Sequence, residues 1–475
     1  MARHATNRRR IAAALASLLL LAGCSDAAPP DATGATETPA PAATPAPEKT
    51  GGVSERSGKC GPPRAAPPEE VPHYDMSMRV DTDAGTVTGH SDVTFVADRP
   101  TSRLVFRLWP NGPRLASEGT ELAVEDARLR GGGGSVDRPD PTTLVFELDD
   151  PLPPGETVVA ELDWTLDLPG PILDRISQDG DTIRLGSFFP ILAWEGERGW
   201  ATDPPTTTLA EASTSPTADF DVRIEVPQGL DVIASGRENG PGRWVAEDVR
   251  DFAVAVGRFD VTTARVDAPN PVQVTVGVAE GLGSSKDDFR DAIARALRDL
   301  SKRYGPYPWR TFSMAIVPGL GRSGIEYPTM IFQGDDSLTW ATTHEVAHSW
   351  FYGLVGNNQG RDPWLDEGVT SWAQARGDGI LGYFRDYEMR QAARGRLGKS
   401  MRFWDGHEGD YYDGVYVQGV KALDALGRAR KVDCALRRYV ARNAYEVATT
   451  DDLVEALEES FPRASRVLKR FGARL

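Results

Sequence analysis

The sequence predicts an α+β protein of more than one domain, with an antiparallel β half first and an α-rich half second. Three observations carry this reading. From His73 onward, short apolar/polar alternations bounded by Gly, Pro and Asp follow one another. After Val276 the apolar spacing becomes helical. In the helical half, His344-Glu345-Val346-Ala347-His348 sets two imidazoles four residues apart around a carboxylate. At 475 residues the chain is long enough for two or three domains of about 150 residues each.

The first 23 residues are expected to be a targeting segment. Arg8, Arg9 and Arg10 form a basic start, Ile11 to Leu21 an apolar stretch, and Leu21-Ala22-Gly23-Cys24 closes it. That closing tetrad resembles a bacterial lipoprotein signal. The resemblance implies cleavage before Cys24, a lipid on its sulfur, and a protein held outside the cytoplasm at the cell membrane. An ordinary secretory signal is the alternative. Residues 24–68 are rich in Pro, Ala and Thr, with almost no large apolar side chain, and read as a disordered tether. With Cys24 set aside, Cys60 and Cys434 remain, either as one disulfide or as two thiols.

Residues 69–262 are expected to form the β domain, an antiparallel saddle or sandwich. Its strands are read at Tyr74 to Val80, Val93 to Val96, Leu104 to Leu108, Leu144 to Leu148, Val158 to Trp164, Phe220 to Val226 and Phe252 to Val256. The run Gly131 to Gly134 reads as a hairpin loop, because neither a helix nor a Lys follows it as a phosphate cradle would require.

Residues 263–475 are expected to be the second domain. Ser285 followed by Asp288 marks a helix start, and Phe289, Ile293, Ala296, Leu297, Leu300 and Tyr304 share one face before Gly305 and Pro306 end it. A strand is read at Phe312 to Val317. The His-bearing helix begins near Thr342 or Thr343, and further helices run through Val420 to Leu426, Ala435 to Val440 and Asp452 to Leu457. The formal charge of −16 argues against a nucleic-acid partner, which needs clustered Lys and Arg.

His344 and His348 on one helical face can share a metal ion, leaving Glu345 beside it. Glu367, after eighteen intervening residues, supplies a third ligand and leaves a fourth position for water. That is the pattern of a catalytic zinc site, one ion per chain. A solvated helix face and a closed structural zinc site are the alternatives.

Further motifs surround this one: Gly324-Ile325-Glu326 before it, Ser349-Trp350-Phe351 and Trp364-Leu365-Asp366-Glu367-Gly368 after it, then Tyr416-Val417-Gln418-Gly419 and Thr449-Thr450-Asp451-Asp452-Leu453. In this order the chain resembles the gluzincin aminopeptidases, family M1, over roughly residues 70 to 470. The resemblance implies a thermolysin-like zinc peptidase domain with His344, His348 and Glu367 as ligands and Glu345 as general base. It further implies Tyr416 as hydroxyl donor to the oxyanion, Glu326 as partner of the substrate's α-amino group, and Gly324 and Ile325 along the substrate. Removal of N-terminal residues from peptides is the activity it implies.

Three positions depart from the family pattern: Ser323 stands where Gly is usual, Tyr327 where Asn is, and Val417 where Glu often follows the catalytic Tyr. Four residues past Glu367 lies Ser371, so no acid is visible there to orient a ligand His. Tyr411, five residues before Tyr416, reads as a surface packing residue or, alternatively, as a second hydroxyl near the site. The chain ends close to where the catalytic domain should, so the family's C-terminal helical domain is not expected. An endopeptidase on the same fold, or an idle zinc-containing surface lipoprotein, remains the alternative function. The preferred residue, the biological substrate and the oligomeric state are not readable.

Overall fold

The computed structural model describes residues 60–207 and 213–475. The expected signal segment, Cys24 and most of the tether lie outside the described residues.

The strand His73–Asp81 buries every second side chain, from Tyr74 to Val80, as its alternating sequence requires. It lies inside a seven-stranded sheet whose members run, in spatial order, Arg237–Glu238, Arg243–Val249, Ala218–Glu225, His73–Asp81, Thr86–Val96, Thr157–Asp167 and Glu121–Arg130. Two four-stranded sheets complete the β half. Pairing is antiparallel throughout these sheets except between His73–Asp81 and Ala218–Glu225, which run parallel. The glycine run does not close a hairpin. It passes the chain from Glu121–Arg130 in the large sheet to Gly134–Asp140 in a different one.

The second half opens on a five-stranded sheet in the order Phe259–Ala268, Asn270–Ala279, Thr311–Ile316, Met330–Gln333, Gly324–Tyr327. The expected boundary at 262/263 therefore falls inside the strand Phe259–Ala268. Helix Lys286–Tyr304 is the crossover between the parallel strands Asn270–Ala279 and Thr311–Ile316, the connection that parallel pairing needs. Ser285 caps it by accepting from the Asp288 backbone N–H, and Gly305 ends it at φ 108°. All six apolar residues read on its face are buried.

Helices then dominate to the end. Thr449 and Asp452 form a reciprocal capping box at Thr450–Glu458, which satisfies two otherwise orphaned backbone donors. The main core is continuous from Tyr74 to Ala473. Across the two halves, Arg361 Nη1 donates to Glu195 Oε2 at 2.8 Å and Asn358 Nδ2 to Glu195 Oε1 at 2.6 Å. Cys60 and Cys434 form a disulfide with Cα atoms 4.9 Å apart. The chain after Cys60 is also fastened by Arg64 donating to the Pro306 carbonyl and by Ala65 N–H donating to the Ala441 carbonyl, both at 2.8 Å. Among the described residues no helix is long and apolar enough to cross a membrane.

Candidate active site

The His-bearing helix spans Thr342–Ala347, with His348 as its cap residue still in helical conformation, its N–H donating to the His344 carbonyl. The i, i+4 relation is thus kept, and the two imidazole centroids lie 4.8 Å apart. Glu367 arrives on a separate element, the π-helical turn Trp364–Gly368. Its Oε2 is 2.9 Å from His344 Nε2 and 3.6 Å from His348 Nε2. All three residues are buried, and their ligand atoms lie within 4.8 Å of one another.

The residues present fit a zinc ion. His348 Nε2 is buried without a hydrogen-bond partner among the described residues, and so is Glu345 Oε2. Orphaned atoms of this kind are costly unless something else occupies them. Two imidazoles and one carboxylate are also a donor set of catalytic zinc. A second grouping, Glu326, Glu345 and His348, shares His348 but brings only one imidazole.

The missing orienting acid is Asp366, directly before the ligand rather than four residues after it. Its Oδ1 accepts from His348 Nδ1 at 2.7 Å, which fixes the ring and leaves Nε2 to face the ligand cluster. Gln359 in turn donates to Asp366 Oδ2 at 2.7 Å and, at 3.5 Å, to Glu326 Oε1. Burial pushes the Asp366 carboxyl up to about 7 against the pull of His348. Burial disfavours the His348 cation too, but Asp366, Glu326 and Glu367 outweigh it and raise the ring well above its ordinary value. Glu367 is held well below the carboxylate range despite its burial, by the two imidazoles.

Glu345 is buried on the same helix, and burial together with the charges of Glu326, Glu367 and Asp366 holds its carboxyl far above the ordinary range, against His348. A carboxyl so placed binds a proton more readily than an exposed one, which suits a group that takes and returns protons. Its seat is made by Gly324. A Cβ on that glycine would lie 2.5 Å from the Glu345 carboxyl carbon.

Gly324–Tyr327 is the edge strand of the five-stranded sheet, paired antiparallel to Met330–Gln333 on one side. The Ile325 side chain is buried in a small core cluster with Tyr327 and Phe332. Glu326 is buried near Glu345 and His348, with the Arg175 guanidinium 4.0 Å away. Tyr327 does not face Glu326's neighbours as a free ring. A Cβ at Gly186 would meet its hydroxyl at 2.0 Å, so that glycine of the β half makes the slot, and Arg175 donates to the hydroxyl at 3.4 Å.

Tyr416 sits on a second π-helical turn, Asp413–Val417. Its ring stacks on His344 at 5.8 Å between centroids and on Tyr412 at 5.2 Å, with Tyr411 edge-on at 5.7 Å. Both isolated π turns carry a predicted site residue, which is where such turns tend to occur. Sequence reasoning missed Asp366, Gln359 and Arg175. Only Asp366, inside a recognised motif, had a signal that could have been used.

Comparison with known proteins gives one class. No family model matches the sequence. Rat (Rattus norvegicus) aminopeptidase B is 26% identical over 282 residues, covering 52% of this chain and 43% of that one. Aminopeptidase M1-C of Oryza sativa subsp. japonica is 24% identical over 470 residues, covering 87% and 50%. The chain thus spans about half the length of the curated relatives it matches. Among solved structures, an M1 zinc metallopeptidase from Deinococcus radiodurans superposes with a TM-score of 0.63 at 22% identity, covering 85% of this chain and 94% of the other.

The fold is therefore that of the two-domain M1 zinc metallopeptidases, a β-rich part followed by an α-rich one. The sequence relatives are named aminopeptidases and the solved neighbour is an M1 zinc metallopeptidase, so both likenesses agree with the gluzincin resemblance carried by the motifs.

Proposed function

We propose that the protein is a zinc-dependent peptidase that removes N-terminal residues from peptides, exported and anchored by a lipid on Cys24. The observation that carries the peptidase reading is the convergence of His344, His348 and Glu367 beside a buried carboxylate, Glu345, whose Oε2 has no hydrogen-bond partner among the described residues. Zinc held by the first three supplies Lewis acidity toward water and the scissile carbonyl. Glu345 takes a proton from the attacking water and returns it to the leaving amine. The Tyr416 hydroxyl donates to the carbonyl oxygen as negative charge grows there. Glu326 pairs with the ammonium of the first residue and so counts one residue inward. The open edge of Gly324–Tyr327 offers backbone groups to an extended peptide.

The test is hydrolysis of matched peptides with free and acetylated N-termini, before and after chelation and zinc return. Cleavage of free-amine peptides alone, abolished by chelation and reduced at least 100-fold in Glu345→Gln with zinc content unchanged, is expected. Chelation-insensitive cleavage sinks the zinc mechanism, and equal cleavage of acetylated peptides sinks the N-terminal specificity. For the anchor, labelled fatty acid should enter the wild type and not Cys24→Ser.

A further inference from the structure

We propose that a groove between the strand Phe259–Ala268 and the helix Lys286–Tyr304 binds a phosphate-class anion, using none of the residues of the zinc site. The groove has a volume of about 280 Å³, and Arg265, Arg290, Arg295 and Arg298 line it with a single acid, Asp291, over an alanine and valine floor. Two of these arginines are already engaged. Arg290 holds Asp287 and Asp291 at 2.5 and 2.8 Å, and Arg265 lies 3.7 Å from Asp267.

Arg295 and Arg298 differ from them. Three residues apart on one helix face, both are exposed, and neither makes an ion pair or a side-chain hydrogen bond with the described residues. This occurs in a chain with 69 acids against 53 bases, where acidic partners are plentiful. Convergent like charges on a concave surface repel one another and focus a positive potential that a bound anion relieves.

The donor geometry selects the anion. Each guanidinium presents a planar fork that pairs with two oxygens at once. More than two forks around one group exceed the lone pairs on the two oxygens of a carboxylate, and the additional oxygens of a tetrahedral phosphate meet that need. The volume lies just under the range of about 300–1,000 Å³ typical for drug-sized organic ligands, which suits a phosphate or pyrophosphate group. The phosphate can come from a soluble ester or from the headgroup of an acidic lipid.

The test uses the full chain carrying Cys24→Ser, so that no acyl group contributes to membrane binding. Calorimetric titration with inorganic phosphate and pyrophosphate at low salt forms one arm. Cosedimentation with phosphatidylcholine vesicles, with and without phosphatidylglycerol, forms the other. Binding in at least one arm is expected, weakened at least tenfold in Arg295→Gln/Arg298→Gln while the unfolding midpoint and peptide cleavage stay unchanged. Saturation by free phosphate identifies a soluble ligand, and binding only to phosphatidylglycerol vesicles identifies the lipid headgroup. No binding in either arm, or binding of wild-type strength in the double variant, overturns the proposal.

Discussion

Gly368 and Gly419 face each other so closely that a Cβ added to Gly419 would lie 2.5 Å from the Gly368 Cα. Gly368 ends the π-helical turn that bears Glu367, and Gly419 follows the one that bears Tyr416, so this contact sets the distance between the candidate third ligand and the candidate oxyanion donor. Gly419→Ala is expected to destabilise the protein by about 1–3 kcal/mol, the usual cost of overpacking, and to lower kcat more than it raises KM. Denaturant unfolding and steady-state kinetics on one preparation check both.

Asp366→Asn keeps the shape of the side chain but removes the charge that fixes His348 Nδ1. Zinc affinity should fall by about 10–100-fold, measured by competition with a chelator of known affinity. Unchanged affinity would show that the Phe351 carbonyl and the Thr370 hydroxyl, each 3.3 Å from His348 Nδ1, suffice to orient the ring.

Asp251 offers a pH test away from the zinc ligands. Burial pushes its carboxyl from an ordinary value of 3.8 up to about 7, against hydrogen bonds from Ser187 and the Phe252 N–H. A carboxyl raised in the folded state binds its proton more tightly there than in the unfolded chain. Its stabilising contribution is therefore full below about pH 4 and is lost as pH rises to about 7. Asp251→Asn should thus gain stability relative to wild type across that window, by an amount on the order of a few kcal/mol. Chemical denaturation of both proteins at pH 4.5 and about pH 7.5 reads the difference, and a constant gap would refute it.

The Cys60–Cys434 bridge joins residues 374 apart. Cys434→Ala, or reduction, should cost about 2–4 kcal/mol by releasing the unfolded chain, measured by denaturation with and without reductant. Peptide cleavage under native conditions is expected to persist, because neither cysteine belongs to the zinc cluster.

Much of this site was legible because its residues are local in sequence. Four-residue spacing alone brings His344 and His348 together, and the period of Phe289 through Tyr304 alone gives the long helix its buried face. Strands were readable from alternation, but their partners were not. Nothing in either segment says that His73–Asp81 should run parallel to Ala218–Glu225, since pairing order is decided by packing between distant segments. The same holds for Gly186 and Arg175, which the β half brings to Tyr327. Asp366 escaped notice for a different reason. Successive helical residues point about 100° apart, so adjacency to Glu367 gave no ground for sending both acids to the same pair of histidines.

The two π turns also determine which kind of genetic change the site tolerates least. A π turn closes its hydrogen bonds over one more residue than an α turn, so a single-residue deletion within Trp364–Gly368 would let the helix regain regular pitch. Everything beyond the deletion would then shift by one place, swinging the ligand position by about 100° around the helix axis. Along these five residues the reading frame of the helix is itself a functional trait, and a clean in-frame deletion should be more damaging than most substitutions.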